Sequence, residues 1–210
     1  GCRTSMCALC AIAVSAEGGR RLVATCTIDP GAIVISEPPV ISASGSLAGS
    51  YRAWALVRAL VDDAEKLAWF SKAGFKRTSQ VWDAEDASIA RGIARDRAMD
   101  TQRVQDLYFR VATNHMGFFN GSGHVDGSGL FETLCFSNHS CAPNTIPAAP
   151  GPYVRGTALR AIEMIAADEE VTWSYLWPQD LSMLSRKHRQ QLLHQCFGFR
   201  CRCARCIRTR

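Results

Sequence analysis

The sequence predicts an α+β fold, with short strands toward both ends of the chain, helices between them and a cysteine-rich tail. Three observations carry that expectation. Residues 20–41 and 153–175 hold short β-type runs interrupted by Gly, Pro and Asn. Residues 51–112 instead repeat their apolar positions at helical spacing. Cys201, Cys203 and Cys206 form a C-x-C-x-x-C cluster among arginines, which is poor material for a core. The 210 residues suffice for one domain with a real hydrophobic core, and 47% hydrophobic against 20% charged residues excludes wholesale disorder. No apolar run approaches the roughly 20 residues that cross a bilayer, and the first residues carry no signal-peptide pattern. A soluble nuclear or cytoplasmic protein, without membrane contact, is expected.

Taken in order, Leu22-Val23-Ala24, the turn Asp29-Pro30-Gly31 and Ala32-Ile33-Val34-Ile35 read as a β-hairpin. Tyr51, Trp54, Val57, Leu60, Ala64 and Leu67 then mark one helix. Asp83 is placed to cap a second, with Asp86 three residues on and Ile89 and Ile93 on one face. Val104, Leu107, Tyr108 and Val111 extend a third. Gly- and Asn-rich loops follow, with strands over Tyr153–Ala158 and Glu170–Tyr175. An amphipathic helix from Asp180 to about Gln195 delivers the chain into the cysteine cluster. The implied organisation is a cysteine-containing N-terminal segment (1–13), first strands (14–47), a helical insert (48–103), a β core (104–178) and a C-terminal helix with the cysteine segment (179–210).

Charge is unevenly placed. Eight basic residues and no acid lie between Arg186 and Arg210, on an otherwise slightly acidic chain. Such a tail suggests phosphate or nucleic-acid contact, or more simply a solvated helix face with loop arginines; no nucleic-acid motif accompanies it.

Without a secretory signal, the ten cysteines point to metal ligation or buried thiols rather than disulfides. Three thiolates as close as Cys201, Cys203 and Cys206 repel one another unless a cation lies between them. Zinc meets that need and takes a fourth ligand. The stretch Asn138-His139-Ser140-Cys141-Ala142-Pro143-Asn144 is not core composition, and alone it would read as a capped turn. Cys141 can complete the tetrahedron and clamp the tail over this loop. At the other end, Cys2, Cys7 and Cys10 include one C-x-x-C pair, which could hold a second zinc with Cys26 or with a ligand upstream of this sequence.

These residues resemble the SET-domain family, in its SMYD-type branch. The resemblance rests on Asn138-His139-Ser140-Cys141 with Pro143-Asn144, on Glu169-Glu170-Val171-Thr172-Trp173-Ser174-Tyr175, and on Phe197-Gly198-Phe199-Arg200-Cys201-Arg202-Cys203-Ala204-Arg205-Cys206. Arg160-Ala161-Ile162 before Asp168-Glu169-Glu170 agrees, as do Asn114, Asn120, Gly129-Leu130 and Gly19-Arg20-Arg21-Leu22 upstream. The resemblance implies a SET β fold with a pseudoknot-like loop, a helical insert, a zinc-binding post-SET segment, and methyl transfer from S-adenosylmethionine to lysine on a protein substrate of the histone-tail type. It implies Tyr175 as the catalytic tyrosine. Gly19, Arg20, Arg21, Asn120, Asn138, His139, Tyr175 and Phe199 would contact the cofactor. Phe136, Trp173, Tyr175 and Phe197 would line the lysine channel, and Cys141, Cys201, Cys203 and Cys206 would hold zinc.

Departures from the family pattern matter. Arg21 stands where the family's G-x-G turn has its second glycine, and could crowd the cofactor or pair with its carboxylate. Phe197 lacks the hydroxyl of the usual tyrosine. No Cys lies between Cys26 and Cys135, so the zinc-binding MYND module of SMYD relatives is expected to be absent, with helices in its place. An aromatic channel also suits a second activity: a non-catalytic SET domain that reads methyl-lysine by cation–π attraction, or a chromatin scaffold. The insert is expected to pack its Trp54/Leu60/Leu67 face on the SET strands and to help form a peptide groove.

Overall fold

The computed structural model describes residues 9–15, 19–45, 50–75, 82–176 and 178–207. In chain order, β1 (Cys10–Val14) and β2 (Arg20–Ala24) precede β3 (Ile33–Glu37) and β4 (Ile41–Ser44). Helices α1 (Tyr51–Val61), α2 (Ala64–Lys72), α3 (Ala84–Asp96) and α4 (Thr101–Asn114) follow. Then come β5 (Met116–Phe119), β6 (Val125–Leu130), a 3-10 turn at Leu134–Phe136, and β7 (Asn138–His139). β8 (Thr145–Ala148), β9 (Thr157–Ala161) and β10 (Thr172–Trp173) lead to α5 (Pro178–Met183), α6 (Arg186–Phe197) and α7 (Ala204–Ile207). Among the described residues no helix is long and apolar enough to cross a membrane.

The strands form small sheets: β1-β2, β3-β9-β8 and β4-β6-β5, all antiparallel, plus a parallel β7-β10 pair. The expected hairpin across Pro30 is therefore not formed. β2 pairs with β1 and β3 with β9, although the turn survives, with Gly31 at φ 85° donating its N–H to Ala161 O. Local periodicity identifies strands, but pairing is decided by which neighbour buries them best.

One core unites Leu22, Val34, Phe118, Phe131, Leu159 and Val171 beneath the sheets. A second joins the helices to β4 and β6 through Trp54, Leu60, Phe70, Tyr108, Ile41 and Leu130. Trp54 stacks on Tyr108 at 4.3 Å, and its Nε1–H donates to buried Asp86 at 2.8 Å. It thus packs toward α3 and α4, while α1 also packs on β4 and β6, as expected of the insert. Asp63, Asp83 and Asp100 cap α2, α3 and α4 by accepting backbone N–H groups, each worth about 1 kcal/mol. The Asp63 cap splits the single helix expected over 51–68. Ser185 likewise caps α6 and divides the helix expected from Asp180. Tyr153 is exposed at φ 63° in a turn, so the strand expected from it begins at Thr157. The helical layer runs to Asn114, past the boundary expected at 103.

β6 reads Val-Asp-Gly-Ser-Gly-Leu because its backbone lies against β4: a Cβ at Gly127 would sit 2.1 Å from Ala43 O. Only glycine permits that approach.

Candidate functional site

The loop 137–145 is threaded beneath 169–173. Ser137 Oγ donates to Val171 O at 2.8 Å, and Ser140 N–H to Trp173 O at 3.0 Å. Asn144 works in both directions: Nδ2 donates to Glu170 O, and Oδ1 accepts from Thr172 N–H, both at 2.8 Å. Thr145 Oγ1 donates to Thr172 O at 2.8 Å. Two irregular segments become a rigid crossing because each supplies the partners that the other lacks.

Two cavities flank this crossing. The smaller, about 380 Å³, is lined by Arg20, Asn114, Phe136, Asn138, Phe197 and Phe199 among others. The larger, about 640 Å³, lies between the helices and β5-β6, with Met116, Ile146, Trp173, Leu176 and Arg52 in its wall. Thr113, Asn114, Cys135, Tyr175 and Phe197 line both, so they form a common partition.

Tyr175 is fixed on this partition. Its hydroxyl donates to Ser137 O at 2.9 Å, and its N–H donates to His139 Nδ1 at 2.9 Å. Phe197 stands 5.1 Å away and Trp173 another 5.1 Å, between ring centroids. Burial, with Cys135 and Glu170 nearby, pushes the Tyr175 phenol well above its ordinary value, so it stays protonated. Burial also pushes the Cys135 thiol up to about 12. That thiol donates to Asn114 O and is unreactive at neutral pH.

Sulfur atoms of Cys141, Cys201, Cys203 and Cys206 lie within 4.8 Å of one another, a set able to hold a metal ion. The thiol of Cys141 is pushed up by its hydrogen bond to Cys201, whose own pKa is pulled down by the same contact. Four such thiolates cannot coexist without a cation. Buried Arg189 interacts with Cys141 and Cys206, and Arg205 donates to Cys141 O at 3.2 Å. Part of the basic tail is thus turned inward to this cluster. His139 Nε2 lies 3.3 Å from Cys141 Sγ, so one imidazole links the cluster to Tyr175.

The other expected residues divide between the smaller cavity and positions outside both cavities. Asn138 donates to Glu170 and to Arg20 O at the smaller cavity. Arg20 also lines it: the guanidinium bonds Ala73 O and Gly74 O and covers the Phe136 ring at 4.0 Å. Arg21 and Gly19 line neither cavity; alternation along β2 turns Arg21 away from the side Arg20 occupies. Phe136 borders the smaller cavity, stacked on Phe75 at 5.5 Å, not the channel with Trp173. Asn120 lines neither; its carboxamide accepts from Ser122 and His124 N–H in the β5-β6 turn. Asn114, at the end of α4, holds the position on the partition. Cys10 is buried against Val34, its thiol pushed up to about 11 by burial, and it joins no ligand cluster among the described residues. Cys2 and Cys7 lie outside those residues.

A threaded loop, back-to-back cavities and a tyrosine on their partition define a SET-type fold. The SET domain family matches residues 19–176, and the chain belongs to that family, in SMYD-like form. The histone-lysine N-methyltransferase SMYD3 of Mus musculus is 36% identical over 101 residues, 48% of this chain and 22% of that protein. The histone-lysine N-methyltransferase ASHR1 of Arabidopsis thaliana is 26% identical over 123 residues, 59% of this chain and 24% of that protein. The chain therefore spans 22–24% of the length of these relatives. A crystal structure of the SET domain of LSMT bound to lysine and AdoHcy superposes with a TM-score of 0.60 over 94% of this chain and 54% of that one, at 11% identity. That likeness establishes the fold.

Proposed function

We propose that this domain transfers a methyl group from S-adenosylmethionine to the ε-amine of a lysine on a protein substrate, of which a histone tail in the nucleus or cytoplasm is the first to test. The observation that carries the reading is the partition: Tyr175 and Phe197 border both cavities, so groups held on its two sides can meet there.

The smaller cavity fits the cofactor. It offers flat rings in Phe197 and Phe199, the carboxamides of Asn114 and Asn138, and a cation in Arg20, the complement of a purine and a zwitterionic tail. When bound, the cofactor supplies an activated methyl group on a sulfonium. Lysine would enter through the larger cavity, whose apolar wall disfavours its ammonium form and leaves a neutral amine. Because the Tyr175 proton is committed to Ser137 O, the phenolic oxygen is left to accept from the amine and orient its lone pair. Tyr175 acts as a neutral positioning group at the reacting atoms, not as a base. Zinc on Cys141, Cys201, Cys203 and Cys206 would hold Phe197 and Phe199 in place.

A methyl-lysine reader needs only the aromatic wall of one cavity; the second cavity behind Tyr175 favours transfer. The test is transfer of labelled methyl to histone tails. Tyr175→Phe should lower kcat about 100-fold while changing cofactor affinity less than about threefold. Cofactor binding without methylation of any protein substrate overturns the proposal.

A further inference from the structure

The His139 side chain lines neither cavity, yet it stands between the metal-type cluster and the tyrosine on the partition. Its strand is held by backbone: His139 pairs with Trp173 in β7-β10, and Ser140 N–H donates to Trp173 O at 3.0 Å. The imidazole itself lies 5.3 Å from the Tyr175 ring and 5.8 Å from the Phe199 ring, between centroids.

The two ring nitrogens face different partners. Nδ1 accepts the Tyr175 N–H at 2.9 Å, and a backbone N–H only donates, so Nδ1 is the bare nitrogen. The proton of the ring is then on Nε2, 3.3 Å from Cys141 Sγ. With a metal on the four cysteines that sulfur is a thiolate, the acceptor this N–H requires. The thiolate thereby selects the tautomer, and the tautomer decides whether Tyr175 N–H meets an acceptor or another donor. Tyr175 is held at two points, by this bond and by its hydroxyl on Ser137 O at 2.9 Å. The first leads directly to a metal ligand.

We propose that His139 is a positioning residue that transmits the state of the metal cluster to Tyr175. Nε2–H on the Cys141 thiolate fixes the ring, and Nδ1 fixes the Tyr175 backbone and with it the phenol. Exchange of the metal then moves Tyr175, although none of the four cysteines lines either cavity. The inference rests on the transfer reading for the place of Tyr175 at the reacting atoms.

The test uses the full chain, isotope-labelled for amide NMR and loaded with zinc or with cadmium, whose longer bonds to sulfur displace Cys141 Sγ. In wild type the exchange should shift the Tyr175 amide resonance. His139→Asn keeps an acceptor for Tyr175 N–H but is too short to reach the sulfur. His139→Gln keeps a donor at the sulfur and gives up the acceptor. Each severs one end, so the shift should disappear in both; melting curves confirm that each is folded, and either one suffices. With cobalt as the metal, the sulfur-to-cobalt absorption band should change in His139→Asn and not in His139→Gln. A ring that served only as packing would leave that band alike in the two variants. For transfer, either variant should lower kcat about tenfold while KM for S-adenosylmethionine changes less than about twofold. No Tyr175 shift in wild type, a shift unchanged in the variants, or unchanged kcat in both overturns the proposal. A shift that depends on His139 in a chain that methylates nothing keeps the link and rejects the transfer reading; transfer without the shift does the reverse.

Discussion

The threaded loop and the floor of the larger cavity treat polar atoms in opposite ways. Between Ser137 and Thr145, side-chain oxygens and amides find backbone partners at about 2.8–3.0 Å, and Asn144 alone serves both strands of the crossing. Some residues away, Ser128 Oγ and His115 Nδ1 are as deeply buried and have none among the described residues. The loop spends its polar atoms on holding itself together. The floor leaves them unmet.

The largest effect should come from the satisfied side, where the loop ends in Cys141. Among the described residues, Leu176 and Leu193 are the buried aliphatic side chains in the cluster with the cysteines, joined by the partly buried Leu181, Leu192, Phe197 and Phe199. So small a cluster cannot hold the C-terminal segment alone, and a structural metal contributes on the order of 10 kcal/mol to sites of this kind. Cys206→Ser, or strong chelation, should release the bound metal and expose residues 197–207 to protease. Cofactor binding should be lost with Phe199, while fluorescence from Trp54 and Trp82 in the helical layer persists. Metal analysis with limited proteolysis reads both. Protease resistance of that segment without metal would show that the loop is held by packing instead.

A smaller effect is expected at Asn144. Asn144→Ala removes both its bonds to the 170–172 backbone and leaves Glu170 O and Thr172 N–H without their partners. The expected loss is about 2–4 kcal/mol, read as a lower denaturant midpoint at unchanged slope. A loss below about 1 kcal/mol would mean that water replaces the side chain, and the crossing is then less self-contained than its geometry indicates.

The same contrast explains what the sequence disclosed. Asn138–Asn144 and the C-x-C-x-x-C cluster are chemically unlike core, so composition exposed them, and the likeness of both to one family joined them through Cys141. The helix capped by Asp83 and the helical spacing of Val104, Leu107, Tyr108 and Val111 were equally plain. Pairing was hidden: nothing local told that β2 would leave β3 for β1. Strand parity decided that Arg20 rather than Arg21 reaches the smaller cavity. The side on which Phe136 emerges depends on Phe75, far away in sequence. Asn120 and Asn114 are both asparagines beside β5, and only the turn after Phe119 separates their roles. Ser128 and His115 are ordinary residues whose meaning lies in having no partner, and an unmet hydrogen bond leaves no trace in a sequence.

The smallest effect has the opposite sign. Ser128→Ala keeps the Cβ and removes a hydroxyl that makes no hydrogen bond among the described residues. The wild-type chain carries the cost of desolvating that hydroxyl, and the variant does not. The variant should therefore be more stable by about 0.5–1 kcal/mol, seen as a modest rise in melting temperature. A hydroxyl that served the fold would give a loss instead, as Asn144→Ala does. A stability gain is what a hydroxyl that the fold does not use must show. A loss greater than about 1 kcal/mol would place Ser128 with Asn144, and the contrast between loop and floor would be gone.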